Sequence, residues 1–197
     1  MSIIIGLTGP TGSGKSSAAD LCRDFGLQHI DCDKTARQAQ EKGTDGLDAL
    51  CKAFGNGILN PDGTLNRKAL ARIAFSTPEQ REKLENTIFP FIKELVLKQT
   101  ENGNTLLDAP TLFESGLDSI CFKTIAVLCD KETRTQRIIA RDNLSKEDAL
   151  LRINAGKPDD FYKQNADYII YNNGNKEQFL ENFKQILKEI LKLGEIQ

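Results

Sequence analysis

Along the chain, short apolar runs take turns with longer stretches in which apolar positions recur every three or four residues, the pattern of strands followed by helices. Ile3-Ile4-Ile5-Gly6-Leu7 is a β-branched run suited to a buried strand, and residues 16–25 fit a helix that Gly26 would stop. Leu27-Gln28-His29-Ile30 reads as a second strand running into Asp31-Cys32-Asp33. Thr105-Leu106-Leu107-Asp108, Thr124-Ile125-Ala126-Val127-Leu128 and Tyr168-Ile169-Ile170-Tyr171 repeat the pattern. Strands this short and apolar, separated by helices, predict an α/β fold built on a five-stranded, mostly parallel sheet flanked by helices.

Between the second and third strands the period turns helical. Residues 34–42 and 45–54 are helical candidates separated by Gly43, and the stretch from Gly55 to Gly63 is dense in turn residues. Asn66 can cap a helix over 67–75. Thr77-Pro78-Glu79-Gln80 combines an N-cap, a proline at the first helical position and a capping-box glutamine, opening a long helix that Pro90 should kink or break near Phe89. Residues 44–100 are therefore expected to form a helical insertion within one domain, 1–197. After the fourth strand, Asp130 can cap a helix to about 141, and Ser145 with Asp148 a second to about 154; residues 134–160 have the form of a helical lid. Residues 176–193 form an amphipathic C-terminal helix.

Composition narrows the function classes. With 27% charged residues and a net charge of −2, nothing resembles a polycationic nucleic-acid binder, so no nucleic-acid partner is expected. No apolar run approaches the roughly 20 residues of a membrane span. Met1-Ser2 leads straight into the first strand without a leader pattern, which points to a cytoplasmic protein with no membrane partner. No obligate protein partner is evident. Five cysteines without a C-x-x-C pair suit reduced, mostly buried thiols. With His29 the only histidine, the expected proton acceptor is a carboxylate.

The stretch carrying the most chemistry is Gly9-Pro10-Thr11-Gly12-Ser13-Gly14-Lys15-Ser16, which fits G-x-x-x-x-G-K-[ST] between a strand and a helix. Glycines let the backbone wrap a phosphate with N–H groups inward, and the following helix start adds further donors. Lys15 would reach the β- and γ-phosphates, and the Ser16 hydroxyl would take a position on Mg²⁺; Ser17 follows in the same turn. Asp108 closes its strand in the manner of a Walker B aspartate that holds the metal. Asp31 and Asp33 end the second strand: one can accept the proton of an attacking hydroxyl, or Asp33 caps a helix and Asp31 is merely solvated. Glu114 either supports metal or substrate or is a surface loop carboxylate. Arg134, Arg137 and Arg141 share a helix face and Arg152 follows on the next helix; such arginines are either a solvated face, with Arg134 its plainest example, or part of a lid closing over phosphates.

Taken together, Ile5-Gly6-Leu7-Thr8-Gly9 with the phosphate loop, Ile30-Asp31-Cys32-Asp33 with Ala36-Arg37, Asp62-Gly63-Thr64-Leu65-Asn66-Arg67, Pro110-Thr111-Leu112-Phe113-Glu114, Arg137 with Arg141-Asp142, Arg152-Ile153 and Ala166-Asp167-Tyr168-Ile169-Ile170 ahead of Asn173-Gly174 resemble the dephospho-CoA kinases of the P-loop kinase group over nearly the full length. The resemblance implies a P-loop kinase fold and transfer of the ATP γ-phosphoryl group to the ribose 3′-hydroxyl of dephospho-CoA, so ATP and dephospho-CoA are the expected partners. It implies Asp33 as catalytic base with Lys15 and Arg141 also catalytic. ATP contacts would come from Gly9, Thr11, Gly12, Ser13, Gly14, Lys15, Ser16, Ser17, Arg137, Arg141, Asn173 and Gly174. Acceptor contacts would come from Thr8, Asp33, Leu112 and Glu114, with Mg²⁺ at Ser16 and Asp108. Thr111, Phe89 and Gly156 depart from the family pattern. A kinase for another hydroxyl acceptor and a non-catalytic nucleotide-binding module are the competing readings. A regulatory GTPase is disfavoured, because Asn175-Lys176-Glu177-Gln178 fails N-K-x-D at its last position.

Overall fold

The computed structural model describes residues 2–101 and 103–195, residue 195 by its backbone alone; Met1, Asn102, Ile196 and Gln197, and the readings that touch them, lie outside the described residues. The strands are β1 (Ile4–Thr8), β2 (Gln28–Asp31), β3 (Thr105–Asp108), β4 (Lys123–Leu128) and β5 (Tyr168–Tyr171), ordered β2-β3-β1-β4-β5 in one sheet. β1 pairs in parallel with both β3 and β4, and β4 in parallel with β5. From β1 the chain goes to the far edge at β2, returns to β3 beside β1, then crosses to β4 and β5 on the other side, and the segment after β1 lies where strand order reverses, the place where ligands gather in such sheets.

Two compact units account for the chain: Met1–Ile30 with Asn102–Gln197, and Asp31–Glu101. In the first, α1 (Lys15–Ala19) gives way to a 3₁₀ turn at Asp20–Phe25, so the helix expected over 16–25 is regular only in its first half. Tightening of this kind is common at helix ends. Gly26, at φ 66°, stops it as expected. Ile5, Leu7, Ile125 and Val127 point to one face of the sheet, where Phe179, Phe183, Leu187 and Ile190 of α9 (Lys176–Glu195) bury against them. The opposite face presents Ala126 and Leu128 to Tyr162 of α8 (Asp159–Asn165), a helix not foreseen from the sequence. Gly6 is required on this face, because a Cβ there would lie 2.7 Å from Leu112 Cδ2 and 3.0 Å from Cys121 Sγ. Between β4 and β5 run α6 (Lys131–Asp142), capped by Asp130, and α7 (Lys146–Asn154), capped by Ser145, packed through Ile138, Ala149 and Ile153.

The second unit is helical: α2 (Cys32–Gln38), α3 (Asp45–Phe54), α4 (Arg67–Ala74) and α5 (Pro78–Thr100), so it takes in α2 as well as the stretch 44–100. α2, α3 and α4 all pack on α5, with Leu47, Leu50, Leu70, Ala74, Ile88, Ile92 and Val96 buried. Between α3 and α4 a 3₁₀ turn at Asn56–Ile58 and an antiparallel bridge, Leu59 to Leu65, enclose a tight turn in which Asp62 accepts from the backbone and hydroxyl of Thr64. α5 runs unbroken through Pro90, so of the kink or break expected near Phe89 the break is absent. Pro90 and Asn86, whose carbonyl the proline leaves without its helical donor, are both exposed, so water can serve that carbonyl while Ile88 and Ile92 hold the helix in the core.

Gly46 shows how tightly this unit is closed. A Cβ there would lie 2.1 Å from the Ala39 carbonyl oxygen, so α3 approaches the end of α2 to a distance only glycine permits. On helix propensity alone Gly→Ala gains about 1 kcal/mol. We expect Gly46→Ala instead to lose about 1–3 kcal/mol by overpacking, read as a lower urea midpoint; a raised midpoint would show that the two helices separate freely.

Candidate active site

The nucleotide loop is fixed from behind by three elements, and each of its glycines answers to a different one. Gly9, Gly12 and Gly14 all have positive φ, of 140°, 80° and 95°. A Cβ on Gly9 would lie 2.2 Å from the Val127 carbonyl oxygen of β4; on Gly12, 3.0 Å from the Arg134 carbonyl oxygen of α6; on Gly14, 2.2 Å from Asn172 Nδ2 just past β5. The Ser13 carbonyl accepts from Asn172 Nδ2 at 2.8 Å and Arg137 Nη1 at 3.2 Å, while Arg137 Nη2 donates to the Asn172 carbonyl at 3.1 Å. Lys15 Nζ lies within the loop, donating to the Gly9 carbonyl at 2.9 Å. Ser16 is exposed and Ser17 partly buried in the first turn of α1, whose N-terminus no side chain caps. A backbone shaped by glycine, closed behind by protein donors and carrying an ammonium inside, is ready to receive an anion chain on its open side.

β2 and β3 each end in a carboxylate, Asp31 and Asp108. Asp108, paired in register with Leu7, keeps Oδ1 buried without a hydrogen bond, and its Oδ2 is 3.8 Å from His29 Nε2. Asp31, not Asp33, caps α2: its Oδ1 accepts from the backbone N–H of Asp33 at 3.0 Å and of Lys34 at 3.2 Å. Partial burial pushes the Asp31 carboxyl up, but the Lys34 and Asp33 donors and the Lys34 ammonium outweigh it and hold the group below its ordinary value. The alternative in which Asp33 caps and Asp31 is merely solvated is thus corrected, and Asp33 sits in the first turn of α2. Glu114 is no open surface carboxylate: its Oε2 is buried without a hydrogen bond. Thr8 and Leu112 are fully buried, Thr8 donating to the Pro110 carbonyl, so a side chain such as Leu112 offers no surface to an acceptor.

The arginines of α6 have three separate fates. Arg141 donates through Nε and Nη2 to Asp142, both at 2.8 Å, and Arg152 of α7 bonds the same carboxylate. These donors hold the Asp142 carboxyl below its usual range. Arg137 is the brace of the loop just described. Arg134, expected on a solvated face, is only 7% exposed: the turn of α6 that backs Gly12 turns it inward, with Nη1 3.5 Å from Asp159 Oδ1 and Nε without a hydrogen bond. Neighbouring Tyr162 is pushed up to about 12 by burial, with the Glu114 charge adding to it. Asn173 Oδ1 accepts from the Asp130 N–H at 2.8 Å, and a Cβ on Gly174 would meet open space. Asn172 and the buried role of Arg134 escaped sequence reasoning; an asparagine directly after a strand was the only trace of the former. Cys22, Cys32 and Cys129 are buried, and all five cysteines are free. Burial pushes the Cys22 and Cys121 thiols up to about 12, which makes them poor nucleophiles.

A parallel sheet with a glycine loop after its central strand and an arginine-bearing helical hairpin between β4 and β5 defines a P-loop kinase. The family model described as CoaE, dephospho-CoA kinase, matches residues 3–178, and the chain belongs to the dephospho-CoA kinase family. It is 40% identical over 192 residues to the dephospho-CoA kinase of Listeria innocua, covering 91% of this chain and 96% of the relative. The crystal structure of TT1252 from Thermus thermophilus superposes with a TM-score of 0.79 at 34% identity, covering 95% of this chain and 97% of the other. Dephospho-CoA kinase from Campylobacter jejuni gives 0.70 at 27% identity, covering 98% and 100%.

Arg134→Ala would leave the half-buried Asp159 without its cation. We expect a stability loss of about 1–3 kcal/mol in chemical denaturation, and Arg134→Met, which keeps the packing, to recover part of it. Stability equal to wild type in Arg134→Ala would return Arg134 to the solvated face.

Proposed function

We propose that the chain transfers the γ-phosphoryl group of ATP to the ribose 3′-hydroxyl of dephospho-CoA, giving CoA and ADP, the last step of coenzyme A biosynthesis. The observation that carries this reading is the family match across residues 3–178 on a chain whose phosphate loop is braced from behind by Arg137 and Asn172. A cradle that is built beforehand spends no free energy on reorganising as charge moves, which is where enzymes of this kind find most of their rate.

In this reading the backbone donors of residues 12–16 bind the β- and γ-phosphates, and Lys15 exchanges its Gly9 partner for phosphate oxygen. Asp33 accepts the proton of the acceptor's 3′-hydroxyl as that oxygen bonds to the γ-phosphorus and the bond to the β-phosphate oxygen breaks, releasing ADP. Arg141 turns the free end of its guanidinium to the transferring group. Thr11, Ser17, Asn173 and Gly174 line the nucleotide side, and Glu114 supports the acceptor side. No group of three or more His, Cys, Asp or Glu among the described residues could hold a metal by itself. That suits Mg²⁺, which keeps water and phosphate ligands: the Ser16 hydroxyl and Asp108, whose buried Oδ1 has no hydrogen bond, are hard oxygen donors fit to hold it. When bound it neutralises charge on the phosphate oxygens. Among the described residues no helix is long and apolar enough to cross a membrane, and we place the enzyme in the cytoplasm.

The test is ADP release with a panel of acceptors. Dephospho-CoA should support turnover while CoA, whose 3′-position is already phosphorylated, adenosine and AMP should not; turnover with one of the others instead would replace the acceptor, and none at all would leave only a binding module. Asp33→Asn should lower kcat by about 10²- to 10⁴-fold, the usual worth of a general base, with ATP affinity unchanged in a parallel titration. Wild-type kcat in that variant, or loss of ATP binding with it, would remove Asp33 from the base role.

A further inference from the structure

Asp142 stands outside the roles given so far, yet among the described residues it is the one carboxylate that two arginines from different helices share. Arg141 approaches it side-on, Nε to Oδ1 and Nη2 to Oδ2, and Arg152 Nη1 reaches Oδ2 from α7, ten residues on in sequence. An arginine has a second donor edge, formed by its two terminal nitrogens. Side-on capture therefore leaves the Nη1 end of Arg141 without a hydrogen bond among the described residues. Two guanidiniums and one carboxylate leave the group with a net charge of +1, in a hairpin also held by the apolar contact of Ile138 with Ala149 and Ile153 and by the bond from Lys131 Nζ to Asn154 Oδ1. Arg141 is 60% exposed in its side chain and Arg152 49%, so as a surface ion pair the group would contribute little to folding. Its use lies elsewhere.

We propose that Asp142 is a positioning residue for phosphoryl transfer: it yokes Arg141 and Arg152 into one preset two-pronged donor, which makes Arg152 a second lid cation for the phosphate chain. This rests on the phosphoryl-transfer reading above. A long arginine side chain at an exposed site samples many rotamers, and fixing it before the substrate arrives removes that cost from the step in which charge develops. The carboxylate also cancels one of the two positive charges, so the lid is oriented by its arginines without an excess of positive field that would tighten ground-state and product binding alike. Orientation is what raises kcat; uniform attraction changes only KM.

The two contributions separate in Asp142→Asn, which keeps the size of the side chain but neither the charge nor a matched pair of acceptors. We expect kcat with dephospho-CoA to fall about tenfold, less than the 10²- to 10³-fold cost of removing a preorganised donor outright, while KM for ATP stays level or falls because the added positive charge remains. Asp142→Glu, which keeps the carboxylate, should recover most of the loss. In an Arg141→Ala background, Asp142→Asn should change kcat by less than about twofold, because the residue it orients is gone. The exposed Asp160→Asn, which breaks a surface pair with Lys163, is the control and should leave kinetics unchanged. Wild-type kcat in Asp142→Asn, a raised KM at constant kcat, or full additivity with Arg141→Ala would each overturn the proposal. Absence of dephospho-CoA turnover in the wild-type chain would instead overturn the function on which it rests, so the two failures are told apart by the first measurement.

Discussion

The Ser13 carbonyl is the point on which the rest of the site depends. In a loop meant to show its N–H groups to an anion, carbonyls must turn the other way, and a carbonyl turned into the protein needs a donor there. Asn172 and Arg137 supply two, and Arg137 also reaches the Asn172 carbonyl, so loop, crossover helix and the end of β5 form one hydrogen-bonded unit. The glycines follow from this. Once β4, α6 and Asn172 approach close enough to hold the loop from behind, none of positions 9, 12 and 14 has room for a Cβ. The same arrangement separates the arginines of α6: Arg137 is committed to the loop, Arg134 is drawn inward toward Asp159, and Arg141 bonds Asp142 near the exposed end of the helix.

Most of the architecture was legible because strong local signals agreed with the fold. Thr105–Asp108 and Tyr168–Tyr171 have the strand bounds their apolar runs indicate, and the caps Asn66, Thr77, Asp130 and Ser145 each accept the N–H that capping chemistry leads one to expect. The phosphate loop was legible for the same reason, since its chemistry is written in consecutive residues. The failures have a common cause in tertiary context. Pro90 carries a local instruction to break α5, but the instruction costs little where the freed carbonyl faces water and the neighbouring turns are anchored. Helical spacing put Arg134 in line with Arg137 and Arg141 but could not show that a later helix would bring Asp159 to it. Asn172 has no periodic or motif signature, because its partner is 159 residues away.

The Asp31-Cys32-Asp33 segment shows how close structural and chemical roles can lie. A cap needs a residue still in extended backbone, and Asp31 at φ −89° and ψ 104° meets that condition while Asp33 is already helical. Backbone geometry thus gives the cap to the first aspartate and places the second inside the first turn of α2. Glu114 and Asp108 carry a related lesson: each holds a buried oxygen that makes no hydrogen bond in the protein, a costly arrangement to keep unless something else comes to those atoms.

The bond from Asn172 to Ser13 also has a meaning in time. The first strand made is the centre of the sheet, yet both its neighbours come from the latter half of the chain, and the group that closes the loop behind it follows the last strand. A ribosome that has finished the glycine loop must add some 159 further residues before that loop acquires its final donor. Contacts so distant in sequence are slow to form, and α9, whose apolar face covers β1, β4 and β5, comes later still. A nascent chain therefore carries the motif long before it carries the site, and a truncated product that stops short of β5 would hold the nucleotide signature braced by Arg137 but without the Asn172 bond behind it.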